Sequence, residues 1–293
     1  MNRLIGILLV ITSAAAFGSL AIFGRFAYAA GLDIATLLFL RFSLSAVCMA
    51  AFLIARGEAW PRGRLLIALI GMGAIGYVGQ SFCYLTAIQY ASAGLVALLL
   101  YLYPVFVAIL AVLFLKSGLT RRKVIALSLA TLGAALTANP QGGQWTGVLL
   151  VISATIIYAV YIIVGTGVMQ QVSAIQSSTI IFISAGAVYA SIAILKGPHW
   201  PTTASGWWSV AGITIIATVI PVATFLAGLK RIGPTDASLL STLEPVVTVL
   251  LAASLLGERL PPLALLGGSL ILGAVVLLTK AELRKIHEGQ PIQ

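Results

Sequence analysis

Among 293 residues the chain carries only seven acidic side chains, two histidines and two cysteines. His199 and His287 fall in a gap between apolar runs and in the tail, while Cys48 and Cys83 sit inside apolar runs without a recognisable partner. No nucleophile–base pair, no protease-type pair of acids and no metal-ligand spacing can be assembled from these groups, so neither an enzyme, a metal nor a cofactor is expected. Two ionisable residues differ from the rest. Arg41 and Glu244 lie deep in long apolar runs, where an unpaired charge costs ~2.5–3.5 kcal/mol on insertion scales. Arg41 could engage a substrate carboxylate or hold a structural ion pair. At ~1.5 Å per residue in a ~30 Å hydrocarbon core, the two depths differ by roughly 6 Å, which allows the two to pair. Glu244 titrates if it stands alone and stays ionised if Arg41 pairs with it.

Uncharged polar groups accompany them. Tyr77, Ser81 and Tyr84 recur at i, i+4 and i+7 and share one helical face, with Gln80 beside it. Phe17, Tyr158, Tyr161, Tyr101 and Thr242 stand in other apolar runs. A tyrosine in hydrocarbon needs a partner for its hydroxyl, so the set is expected to line a central cavity, the plainer reading being helix packing with interhelical hydrogen bonds. An aromatic wall with few fixed charges suits uncharged or zwitterionic solutes with apolar side chains and suits phosphates poorly. Pro104 and Pro245 break the hydrogen bond to the fourth residue before them, which frees the carbonyls of Leu100 and Ser241. Such broken backbone is tolerated at membrane depth only where it is buried in protein or lines a cavity. A kink for shape alone is the rival reading, and Pro221 is expected to be only a local bend.

These residues need a membrane to position them. The chain is 60% hydrophobic and 8% charged, with mean hydropathy +1.11. A soluble surface takes roughly 25% charged residues, so lipid must be most of the solvent. Apolar runs of about the length that crosses a bilayer read as Leu4–Phe23, Ile34–Ala55, Leu65–Ile88, Ala93–Leu115 and Val124–Ala138, then Trp145–Met169, Ser177–Leu195, Trp207–Leu229, Thr235–Leu256 and Leu263–Thr279. The net charge of +10 does not mark a nucleic-acid binder, because the basic residues sit in short gaps. Thirteen fall at the N-terminus, in every second gap and in the tail, against Arg25, Lys196 and Arg259 on the other side. Both termini and the Arg121–Lys123 gap are therefore expected to be cytoplasmic, with the Asn139–Gln144 and Lys196–Pro201 gaps outside.

An offset of 141 residues aligns the chain with itself. It carries Gly6-Ile7-Leu8-Leu9-Val10-Ile11 onto Gly147-Val148-Leu149-Leu150-Val151-Ile152, Phe17 onto Tyr158, and Tyr101 onto Thr242. Leu102-Tyr103-Pro104-Val105 falls on Leu243-Glu244-Pro245-Val246. The first run pairs with the sixth, so it belongs to the fold and is not a cleaved leader. Residues 1–140 and 141–293 then form two five-helix repeats, the second ending in a short basic tail. An odd number of crossings per repeat inverts the second, so an all-α membrane fold of ten helices as two inverted-topology repeats is expected. Two such halves suit alternating access for a small-molecule substrate and require no oligomer. A passive channel, a non-transporting scaffold and, less readily, an intramembrane enzyme are the alternatives. Gly71, Gly73, Gly76, Gly79, Gly267, Gly268 and Gly273 are expected to admit close helix contact. With Asp33 and Asp236 near span ends and no histidine in a span, facilitated transport is expected, Glu244 fixing helix geometry beside Pro245.

Leu38-Phe39-Leu40-Arg41-Phe42, Tyr101-Leu102-Tyr103-Pro104-Val105-Phe106-Val107, Leu243-Glu244-Pro245-Val246 and Leu256-Gly257-Glu258-Arg259-Leu260 resemble the drug/metabolite transporter superfamily, of the EamA type. The resemblance covers nearly the whole chain, and within the superfamily the sequence looks most like the YddG-type exporters. It implies a ten-helix exporter of amino acids, aromatic ones included, in a cell membrane such as the bacterial inner membrane. The first repeat departs from the pattern, since Leu115-Lys116-Ser117-Gly118-Leu119 lacks the Gly-Glu-Arg that follows the ninth run.

Overall fold

The computed structural model describes residues 2–114, 121–137 and 145–287, and every regular element among them is helical. The expected turn at Lys116–Leu119 and gap at Asn139–Gln144 lie outside the described residues, as do the side chains of Arg122 and Lys123. Seven helical stretches are long and apolar enough to cross a bilayer: Arg3–Ala29, Ile34–Ala55, Gly63–Tyr90, Ala93–Leu110, Trp145–Gly165, Ala174–Lys196 and Ala204–Leu229. Val124–Thr137, Leu243–Leu256 and Pro262–Leu277 are shorter apolar helices and complete the ten expected crossings. The protein is an all-α membrane protein.

Several spans are not single helices. The first is split at Ser19 into Asn2–Gly18 and Leu20–Ala29, and the Gly18 carbonyl accepts a bond of 2.9 Å from the Thr248 hydroxyl of the ninth span. The fourth is split into Ala93–Leu100 and Tyr103–Phe114, and the ninth breaks at Thr242 ahead of Leu243–Leu256. Pro104 and Pro245 thus stand in the first turn of the following helix, where the missing N–H has no intrahelical partner anyway. The expected mid-helix kinks are full stops one turn earlier.

Helical residues run unbroken from Ile220 to Ser241, with no gap at Lys230–Arg231. The chain nevertheless reverses within this stretch. Ser13 bonds the Pro221 carbonyl at 2.8 Å, whereas Glu244 lies beside Gly18. A straight helix would separate Pro221 from Glu244 by about 35 Å, against about 8 Å between Ser13 and Gly18. Two segments are wound as π-helix, Met72–Tyr77 in the third span and Gly212–Val219 in the eighth, and the 141-residue offset lays one on the other. Pro221 stands two residues past the end of the second of these, in the first turn of the helix that follows.

The halves interlock rather than stand side by side. The first span packs on the eighth, and its repeat mate, the sixth, packs on the third; the second packs on the seventh and the fifth on the tenth. Lipid tails are as apolar as leucine, so these contacts depend on close backbone approach. A Cβ on Gly228 would lie 2.9 Å from the Gly6 carbonyl oxygen, and one on Gly133 2.6 Å from that of Gly267. Gly73, Gly76, Gly267 and Gly268 are packed as expected, and Gly79 makes an ordinary contact. Gly71 and Gly273 are not contact glycines, because a Cβ on either would meet nothing within 4 Å.

Alternate gaps gather at opposite ends of the bundle. At one end Asp33 caps the second span by accepting from the N–H groups of Ala35 and Thr36, and the His199 imidazole lies 3.4 Å away. At that end also, Arg25 donates to the Ala91 carbonyl at 2.9 Å and stands 3.5 Å from Glu258. The Glu258 carboxylate accepts the Ala93 and Gly94 N–H groups at 2.9 and 3.2 Å, capping the first half of the fourth span. Gly257, at φ +65°, ends the ninth-span helix in the left-handed turn that delivers Glu258 there. At the other end Glu58 binds the Ser173 hydroxyl, and Gln176 donates to the Ala59 carbonyl at 2.7 Å.

Candidate functional site

Where the helix breaks meet, between the halves, lies a cavity of about 300 Å³. Phe17, Tyr77, Ser81, Tyr84, Tyr101 and Tyr158 line it, together with both deep ionisable residues, Arg41 and Glu244. Tyr161 stands behind this wall, its ring stacked on Tyr158 at 5.9 Å and tilted against Tyr77 at 6.0 Å. Thr242, Pro104 and Pro245 are not lining residues; they shape the breaks on either side. Sequence reasoning passed over Tyr103, whose ring sits 4.9 Å from that of Tyr158 and which lines the cavity too. The offset register held the signal, since Tyr103 is the repeat mate of Glu244. Leu100 and Ser241, mates of each other, complete the two breaks in the cavity wall.

Arg41 and Glu244 do not pair, contrary to the geometry that depth alone allowed. Arg41 is 3% exposed, its Nε donates to Thr218 Oγ1 at 3.0 Å, and its guanidinium lies 4.9 Å above the Phe42 ring. The Thr218 hydroxyl in turn donates to the Ile213 carbonyl five residues back, at 2.7 Å, so the π-wound segment aims it at Arg41. Repeat symmetry explains the arrangement. Arg41 and Thr218 are the mates of Phe182 and Tyr77, whose rings meet at 5.9 Å. One of two equivalent crossings is aromatic and the other polar, which places a cation on the polar crossing alone.

The Tyr101 hydroxyl lies 2.6 Å from the Ser241 carbonyl oxygen and 3.0 Å from Glu244 Oε2. Pro245 deprives that carbonyl of its helical N–H, so a side chain from the other repeat satisfies it, as the freed carbonyl required. The Ser81 hydroxyl donates to the Tyr77 carbonyl at 2.6 Å, so it is satisfied within its own helix on the face that lines the cavity. A second, more open hollow of about 440 Å³ lies by Phe26 and Trp208; with no ionisable side chain in its lining, it offers a solute no charged anchor. Among the described residues, no group of His, Cys, Asp and Glu is placed to hold a metal ion.

Two interlocked repeats, paired helix breaks and a polar cavity between them are the marks of a carrier. The sequence pattern of the EamA-like transporter family matches residues 4–139 and, a second time, residues 145–280. The chain belongs to the EamA-like transporter family. Among its relatives, the uncharacterized transporter YcbK of Bacillus subtilis is 29% identical over an alignment covering 49% of this chain and 47% of YcbK. The uncharacterized inner membrane transporter YedA of Escherichia coli is 27% identical, covering 82% of this chain and 79% of its own. A probable terminal-alkyne amino-acid exporter of Streptantibioticus cattleyicolor is 25% identical, covering 97% and 95%. A crystal structure of 20% sequence identity covers 94% of this chain and 98% of its own with a TM-score of 0.66, which shows a shared fold. As a member of this family the chain is a multi-pass membrane transporter of small molecules.

Proposed function

We propose that this EamA-like transporter exports amino acids, aromatic ones included, by alternating access, with both termini in the cytoplasm. One observation carries the reading: Arg41 and Glu244 face the same aromatic-walled cavity without neutralising each other. A zwitterion brings one charge for each. Its carboxylate meets the guanidinium edge left over by Thr218, and its ammonium meets Glu244 beside the Ser241 carbonyl. The tyrosine rings and Phe17 take an apolar side chain. A cavity of about 300 Å³ holds one small solute and sits at the small end of ligand sites. The name of the Streptantibioticus relative points the same way.

The test is counterflow of labelled L-phenylalanine into liposomes holding purified protein and unlabelled L-phenylalanine. Saturable uptake is expected, with phenethylamine and phenylpropionate, which lack one charge each, competing poorly. Absent uptake, or equal competition by the singly charged analogues, would sink the reading. Orientation has its own check, resting on the thirteen-to-three asymmetry of basic residues. In a background freed of Cys48 and Cys83, an impermeant maleimide applied to intact cells should label Lys196→Cys and spare Arg62→Cys. The reverse pattern would invert the topology.

A further inference from the structure

We infer that Glu244 is a proton-binding site and that this carrier exchanges its solute for a proton. The inference rests on the reading above only for the identity of the solute. Its ground is the missing partner. The sequence allowed Arg41 to hold Glu244 as a permanent carboxylate, but Arg41 is engaged by Thr218 and Phe42, and among the described residues no ion pair reaches Glu244. The groups that face it are otherwise neutral. In the cavity lining the fourth span presents Tyr101 and Tyr103, the sixth Tyr158, the third Tyr77, Gln80, Ser81 and Tyr84 and the eighth Phe225, while the first adds no ionisable group. Arg41, across the cavity on the second span, is the one other charged group in the lining among the described residues.

The hydrogen-bond geometry tells the protonation states apart. Tyr101 has a single hydroxyl proton, and it stands between the Ser241 carbonyl at 2.6 Å and Glu244 Oε2 at 3.0 Å. The carbonyl can only accept, and Pro245 has taken away its other donor. A protonated Glu244 can donate to the Tyr101 oxygen while Tyr101 donates to Ser241, and both contacts are made. An ionised Glu244 must compete with Ser241 for the same hydrogen. With the acid protonated, the Ser241 carbonyl, the Tyr101 hydroxyl and the Glu244 carboxyl all have their partners. An incoming ammonium reverses the protonation: it binds the carboxylate, and the proton leaves for water.

The exchange balances as one proton released per ammonium bound, and the reverse at the opposite face. Proton and solute take turns on one carboxyl, so a single acid suffices and the scarcity of acids in the sequence is no obstacle. The Glu244 site is neutral in both loaded forms, as acid or as ion pair with the solute, whereas the empty carboxylate is an uncompensated charge in the membrane and is held back from crossing. That rule prevents futile cycling.

The experiment uses the counterflow liposomes, with potassium and valinomycin clamping the membrane potential and L-phenylalanine equal on both sides. A gradient of about one pH unit, acidic inside, should drive up to about tenfold accumulation for one-for-one exchange, and Glu244→Gln should abolish it. Intact counterflow without accumulation in the wild type overturns the inference. Because the variant could fail for other reasons, a second readout needs no transport. Infrared difference spectra of the detergent-purified protein, acidic against alkaline, should show a protonated carboxyl band that Glu244→Gln lacks. If L-phenylalanine does not exchange at all, the amino-acid reading fails and the spectra alone decide: the band sustains the proton site, and its absence from the wild type removes it.

Discussion

Arg41→Met should raise the L-phenylalanine concentration needed for half-maximal exchange by roughly tenfold to a hundredfold, the equivalent of a charge-assisted hydrogen bond of about 1.5–3 kcal/mol. The side chain is 3% exposed and opens only into the cavity, so its free guanidinium edge has no role toward lipid or bulk water. Methionine fills nearly the same volume, and Thr218 keeps its bond to the Ile213 carbonyl, so the fold should survive. Lysine should not rescue. A single ammonium cannot bond Thr218 and a carboxylate in the fixed fork that the guanidinium supplies. Transport of phenethylamine, which has no carboxylate, gives the control. If Arg41→Met weakens both solutes equally while membrane abundance holds, Arg41 is a structural cation and not a carboxylate anchor.

Gly73→Ala should destabilise the protein by about 1–3 kcal/mol, whereas Gly71→Ala, two residues away, should be neutral or stabilise by up to about 0.5–1 kcal/mol. The contrast follows from what a methyl group would meet. At Gly73 it would lie 2.0 Å from Ser184 Oγ and 2.7 Å from the Ile181 carbonyl oxygen. The hydroxyl can rotate away, but the seventh-span backbone is fixed by its packing on the second span. At Gly71 nothing stands within 4 Å. Thermal unfolding of the two variants in one detergent measures the difference directly. Equal midpoints would mean that the third and seventh spans are not packed through Gly73.

The crossings and most of the cavity wall were legible because both depend on local or repeated signals. An apolar run of sufficient length declares a span wherever it packs. The offset of 141 residues brought Phe17, Tyr101 and Tyr158 into view and would have added Tyr103 had it been followed through Glu244. Relations set by rotation about a helix axis were hidden. Depth along the membrane placed Arg41 near Glu244, but only the packing of the second span against the eighth decides that Arg41 faces Thr218 instead. The break at Ser19 has no proline to announce it, and the group that satisfies the Gly18 carbonyl, Thr248, lies 230 residues away in sequence. The π-wound segments escape for a subtler reason. Met72 sits at φ −60° and ψ −40°, which any α-helix would also show.

The two-turn helix Ala93–Leu100 is held at its ends by carboxylates that flank a single partner helix. Glu258, just past the end of Leu243–Leu256, caps its start, and Tyr101 at its far end reaches Glu244 in that helix's first turn. Residues 93–99 are all buried, so the short helix meets its neighbours along its whole length. One end of this helix therefore answers to the Arg25–Glu258 contact and the other to the Tyr101 bonds with Ser241 and Glu244. Eight residues of helix thus join a carboxylate at one end of the bundle to the carboxylate in the cavity wall.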